Sequence, residues 1–172
     1  LAAEVDVLIE DYSPGTLESL GLGYAELSRT KPGLVMTSIT PFGQTGPHRD
    51  YRSHPLNAYH VGGHSGAFHL PQDGEVRPPP KGGGYLGEYD GGLIAAVGTL
   101  AAVIGRRRTG RGRYIDISKQ EAMIALERVD VARLANDPTP IPWRPATGGV
   151  SKTKDGYLLT NNHVVEGPNS IE

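Results

Sequence analysis

Two apolar runs near the start of the chain have the length and β-branched content of strands, and each is followed by a turn-rich segment. Val5–Ile9 (VDVLI) predicts a strand, and Glu10–Gly15 (EDYSPG) reads as the loop at its carboxyl end. Thr16 stands where it can cap a short helix over Leu17–Leu20, which Gly21 stops. Tyr24–Thr30 predicts a second short helix, ended by Lys31-Pro32-Gly33. Leu34–Ile39 predicts the next strand, and Pro41–Pro47 (PFGQTGP) the turn after it. This strand–helix–strand order argues for an α/β fold with a parallel sheet. Ligands of such sheets bind beyond the carboxyl ends of the strands, here Glu10–Gly15 and Thr40–Pro47.

Further along, Pro55–Val61 suits one or two helical turns with proline at an early position. Gly62–Gly84 is loop-like, with Pro78-Pro79-Pro80 as a stiff element. Leu93–Ile104 is almost unbroken Leu, Ile, Ala and Val and predicts a buried helix. At about twelve apolar residues, that run is too short to span a bilayer. Arg106–Arg108 place cations at its C-terminal end, where the helix dipole favours them. TGRG then leads into a short strand, Tyr114–Ile117, and Ser118 is placed to cap a helix over Lys119–Asn136. Ala122, Met123, Leu126, Val129 and Leu134 would form the apolar face of that helix. Four prolines between Asp137 and Pro145 read as a linker, and Gly156–Thr160 as a strand that starts something new. The expected organisation is an α/β domain over 1–136, a Pro-rich linker over 137–150 and the start of a small second domain over 151–172.

Composition narrows the chemistry. A net charge of -2 gives no electrostatic reason to expect nucleic acid or an acidic membrane as partner. No signal peptide or membrane span is read, and a cytoplasmic location is expected. Cysteine is absent, which excludes disulfides, thiolate metal sites and a cysteine nucleophile. The chain begins at Leu1 almost directly in a strand-like run and ends soon after another, so it reads as a fragment, with exposed apolar surface expected.

Glu88 and Asp90 stand between three glycines, Gly82–Gly84, and the long apolar run, at or just before the helix N-terminus. They read either as solvated first-turn acids or as a carboxylate nucleophile or base reached through glycine backbone. His48, His54, His60, His64 and His69 crowd one segment, but no pair has helical ligand spacing beside a Glu, so no metal site is read. His54 is kept as a general acid/base candidate. Gly82–Gly84 matches neither a Walker loop nor a dinucleotide fingerprint. RRRTGRGR reads as a helix end rather than a nucleic-acid patch.

The residues VDVLIEDYSPGTLESLGLGYAELSRTKPGLVMTSITPFGQTGP and LGEYDGGLIAAVGTLAAVIGRRRTGRGRYIDIS together resemble the class III CoA-transferase family, which includes formyl-CoA and carnitine CoA-transferases and α-methylacyl-CoA racemases. Asp155-Gly156-Tyr157 also resembles the strand where that family's smaller domain begins. The resemblance implies a Rossmann-like CoA-binding large domain, a small second domain and an interlocked homodimer, in chains about twice this length. It places the family's catalytic Asp at Glu88, with Asp90 in reserve. Coenzyme A would lie near Asp11, Tyr12, Leu20, Thr40 and Phe42; Asp11-Tyr12 replaces the family's Asn-Phe, and Ser19 and Thr40 stand where some members carry basic residues. No metal is implied.

The function so implied is transfer of CoA from an acyl-CoA to a free carboxylic acid, through an enzyme-bound acyl anhydride and a glutamyl-CoA thioester. The fragment alone is expected to be inactive. One alternative is an acyl-CoA racemase that exchanges the α-proton with His54 and a carboxylate, although Pro55 follows where the racemases carry Asp. The other is a CoA-binding or dimer-scaffold protein without catalysis.

Overall fold

The computed structural model describes residues 4–64, 81–127, 131–132, 135–136, 150–153 and 156–159. Three parallel strands, β1 (Val7–Glu10), β2 (Val35–Thr40) and β3 (Tyr114–Ser118), form one sheet in the order β1-β2-β3. Val7 pairs with Val35 at one seam, and Met36 with Tyr114 at the other. β2 is the centre: Leu34 to Ser38 are essentially without solvent exposure. The predicted parallel α/β sheet is therefore present, with each strand shifted one or two residues C-terminal to its expected start or end.

Short helices α1 (Thr16–Ser19) and α2 (Tyr24–Thr30) connect β1 to β2. Thr16 does not cap α1. It is the first helical residue, and Gly15 occupies the cap with φ 85°, a conformation that costs glycine little. Between β2 and β3 come α3 (Pro55–Val61), with Pro55 in its first turn as expected, and α4 (Leu86–Thr109). Ser118 caps α5 (Lys119–Leu126) by accepting from the Glu121 N–H at 3.2 Å. Of the expected helix over Lys119–Asn136, α5 covers Lys119–Leu126 with Glu127 as its C-cap, and Val131, Ala132, Ala135 and Asn136 are again helical; Val129 and Leu134 lie outside the described residues. So do His69, Pro78–Pro80 and the Pro-rich segment from Asp137 to Pro145. β4 (Val150–Thr153) and β5 (Gly156–Leu159) make an antiparallel hairpin, of which β5 matches the predicted strand.

The long helix departs from expectation in two ways. It runs 24 residues rather than twelve, because the glycine-containing first turns are helical too, so Glu88 and Asp90 are inside it. By length and composition alone it could cross a membrane. Nor is it buried all round. The buried face carries small residues: Gly87 and Gly91 lie against Met123 and Lys119 of α5, and Ala95, Thr99 and Ala102 continue the face, with Thr99 reaching Thr37 of β2. Leu93, Val97, Leu100 and Ile104, at helical spacing, are each more than 60 % exposed among the described residues. Within this chain the expected burial is met on one face only, where the residues are small, and the large side chains of the run lie on the other.

A polar bridge fixes the inner face. Thr99 Oγ1 donates to the Ala95 carbonyl at 2.6 Å, which uses its one proton. The 2.7 Å contact between the Thr37 and Thr99 hydroxyls is therefore donated by Thr37. A second cluster packs α3, α4 and α5 through Ala58, Tyr59, Leu86 and Met123. Met123 fits between Gly62 and Gly87, where an added Cβ would come within 2.7 and 2.9 Å of its side chain.

Candidate active site

The carboxyl ends of the three strands carry the loops that build the site. Glu10, the last residue of β1, is buried, and its Oε2 accepts from the Tyr12 N–H at 2.8 Å. That bond turns the chain and sets Asp11 and Tyr12 beyond the sheet. After β2 the loop is held from β3, where the Asp116 carboxylate accepts from the Gln44 N–H at 2.9 and 3.1 Å. The tight approach is made at Gly43, φ 83°. Phe42 packs against His48 and Tyr51, with ring centroids 5.9 and 6.3 Å away, which shapes the segment leading to α3.

These loops enclose a cleft of about 670 Å³ lined by Asp11, Tyr12, Ser13, Pro14, Pro41, Arg49, Asp50, Tyr51, Arg52, Ser53, His54 and Lys119. Its walls are mixed in charge: Asp11 and Asp50 face Arg49, Arg52 and Lys119, and Arg49 pairs with its neighbour Asp50 at 3.2 Å. His54 stands at the start of α3, its N–H donating to Asn57 Oδ1 at 3.1 Å. Lys119 links the cleft to the long helix. Its Nζ donates to Glu88 Oε2, and the two side chains are 16 % and 31 % exposed.

The residues singled out from sequence thus separate into four groups. Asp11, Tyr12 and His54 line one cleft, and Glu88 joins it through Lys119. Phe42 supports the cleft from behind through Tyr51. Thr40 is 1 % exposed, closed over by the central position of β2, so it lies beneath the site instead of facing a ligand. Leu20 is exposed after α1 and Asp90 is half-buried in α4; neither lines the cleft. Among the described residues no cluster of His, Asp and Glu could hold a metal ion. His64 Nδ1 instead lies 2.5 Å from Glu127 Oε1.

Sequence reasoning missed Glu10, Lys119 and the two arginines of the cleft. Lys119 opens a helix, where the dipole disfavours a cation, but that alone does not name its partner.

The sequence model of CoA-transferase family III matches residues 1–161. The chain belongs to that family. It is 42 % identical over 123 residues to the succinyl-CoA–L-malate CoA-transferase beta subunit of Chloroflexus aurantiacus, covering 72 % of this chain and 30 % of that one. It is 35 % identical over 168 residues to the succinyl-CoA:glutarate CoA-transferase of Mus musculus, covering 92 % and 37 %. Among solved structures it resembles a CAIB/BAIF family protein from Brucella suis with TM-score 0.75 and 28 % identity, over 92 % of this chain and 42 % of that one. The chain therefore spans less than half the length of these relatives.

Proposed function

We propose that the full-length protein transfers CoA from an acyl-CoA to a free carboxylic acid, with Glu88 as the nucleophile. The observation that carries this is the Glu88 carboxylate, held by Lys119 at the edge of a cleft whose walls include Asp11, Tyr12, Arg49, Arg52 and His54, in a member of CoA-transferase family III. A carboxylate held in one place by a neighbouring cation is oriented for attack. Glu88 Oε attacks the thioester carbonyl; the C–S bond breaks and CoA leaves as thiolate, giving a mixed anhydride. The thiolate then attacks the Glu88 carbonyl and releases the donor acid, leaving a glutamyl-CoA thioester. An acceptor carboxylate takes up CoA by the reverse of these steps. No redox partner is needed, and negative charge is conserved throughout.

By likeness to the Chloroflexus and mouse relatives, the donor is succinyl-CoA or a similar dicarboxylic acyl-CoA and the acceptor a second dicarboxylic acid. The cations Arg49 and Arg52 suit such anions, and CoA phosphates as well. Residues 1–136 would form the CoA-binding domain and 151–172 the start of a second one, in an interlocked homodimer.

A second reading, α-proton exchange on an acyl-CoA, rests on His54 lining the same cleft. One experiment separates the two. The full-length protein is incubated with succinyl-CoA, quenched and digested, and the peptide bearing Glu88 is weighed. Transfer predicts a peptide heavier by CoA. Substrate conversion with an unmodified Glu88 peptide, together with deuterium uptake at the α-carbon in heavy water, would replace transfer by exchange at His54.

A further inference from the structure

Lys119 is a cation in an electrostatically poor place. It is the first residue of α5, where backbone N–H groups and the helix dipole already present positive charge. Its side chain is 16 % exposed, so solvent does little to offset that repulsion. The helix is capped without it, by Ser118. The stem passes Gly91 of α4, where an added Cβ would stand 3.0 Å from Lys119 Cγ, so the long helix leaves it room. At its far end Nζ engages one carboxylate oxygen, Glu88 Oε2, while the same residue lines the cleft with Tyr12, Arg52 and His54.

We propose that Lys119 is the positioning residue of the Glu88 carboxylate and the cation that accompanies its negative charge through the exchange. The inference rests on the reading of Glu88 as nucleophile. Anchoring Oε2 leaves Oε1 as the attacking atom and restricts the carboxylate to one orientation, which is worth most when the attacking group is a flexible glutamate. The charge follows a defined course. Attack on the thioester moves it from Glu88 to the CoA sulfur, and attack of that thiolate on the anhydride moves it to the released acid. In each covalent intermediate Glu88 is a neutral acyl group. Lys119 then loses its counter-ion at the moment a new anion forms beside it. A fixed ammonium there stabilises the thiolate and the departing carboxylate without reorganisation, and it draws the acceptor carboxylate to the glutamyl thioester.

The test uses the full-length protein with succinyl-CoA, comparing the parent with Lys119→Met and Lys119→Arg. Lys119→Met is expected to lower kcat and the rate of CoA loading on Glu88 roughly 10²-fold. Over the same change KM for succinyl-CoA moves less than about threefold, the pattern of an interaction made in the transition state. Lys119→Arg restores most of the loss, because it returns the cation. A purely structural lysine would lower the melting temperature without that split and without rescue by charge. Where Lys119→Met does not fold, Lys119→Gln keeps a polar side chain of similar reach and carries the same expectation. Loading of Glu88 at the parent's rate in the uncharged variants, or a rise in KM alone, overturns the proposal while leaving Glu88 as nucleophile. Turnover by the parent with Glu88 never modified removes the nucleophile itself, and this role with it.

Discussion

The two ends of α4 carry the same kind of contact in different surroundings. At the N-terminal end Glu88 meets Lys119, with both side chains largely withdrawn from water and next to the cleft. At the C-terminal end Arg106 reaches the Gly33 carbonyl at 3.1 Å and Asp6 Oδ1 at 3.2 Å, and Lys31 joins Asp6 at 3.1 Å. Asp6 is 67 % exposed, so water and salt screen that cluster. The carboxylates and ammonium or guanidinium groups are alike, and what differs between the two pairs is the solvent around the carboxylate. Charge placed where water cannot answer it is expensive, and is expected where chemistry draws on it. Charge placed in water ties a helix end to a sheet edge at little cost.

The sharpest break in this comparison is at Glu88. Glu88→Gln keeps shape and a polar contact to Lys119 but removes the proposed nucleophile, and it is expected to lower kcat in the full-length protein by at least about 10³-fold. Its melting temperature should stay near that of the parent. Loss of folding without prior loss of turnover would make the N-terminal pair a staple like the other. At the opposite end the largest effect is expected from geometry, not charge. Gly112 follows α4 where the chain returns to β3, and its N–H donates to the Pro32 carbonyl at 2.8 Å. A Cβ there would stand 1.7 Å from the Leu34 carbonyl oxygen, against rigid backbone. Gly112→Ala is expected to cost about 3 kcal/mol or more, measured by urea unfolding at unchanged m.

How much of this was legible from sequence follows from which interactions are local. Strand–turn–helix order, Pro55 in the first turn of α3 and Ser118 as a cap depend on neighbours within a few residues, and they were read correctly. The joining of Asp11, Tyr12 and His54 in one cleft follows from parallel strands ending on the same side. Lys119 with Glu88, 31 residues apart, depends on how α5 packs across α4, and no local pattern carries it. Thr40 was misplaced for a related reason: a strand end looks accessible in sequence, whereas its burial is decided by the strands on both sides. In the Leu93–Ile104 stripe, composition reports how apolar the helix is and not which of its faces is covered within this chain.

Between the two ends, the Thr37–Thr99 bridge tests whether the helix is fixed mainly at its termini. Thr99→Val retains volume but leaves the buried Thr37 hydroxyl without its acceptor. A loss of about 1–3 kcal/mol is expected for the unmade bond. Thr37→Val in the same chain should return part of that loss, because the orphaned group is gone. No coupling between the two substitutions would mean that the ends alone hold the helix to the sheet.

The smallest expected effect belongs to Asp6, and its pH dependence is the most direct check on the contrast. Hydrogen bonds from Lys31 and Arg106, with the charge of both, hold the Asp6 carboxyl below the ordinary carboxylate value. A carboxylate whose pKa is lowered on folding binds its proton more readily in the unfolded chain. Its stabilising contribution is therefore present above the unfolded value of 3.8 and disappears as pH falls through the lower folded value. Asp6→Asn should melt slightly below the parent near neutrality, and the two melting curves should converge as the pH is taken below that range. Added salt should narrow the gap at neutral pH, because the cluster is exposed. A gap that resists salt would show that the C-terminal cluster is shielded like the pair at Glu88, and the distinction between the two ends would then rest on the cleft alone.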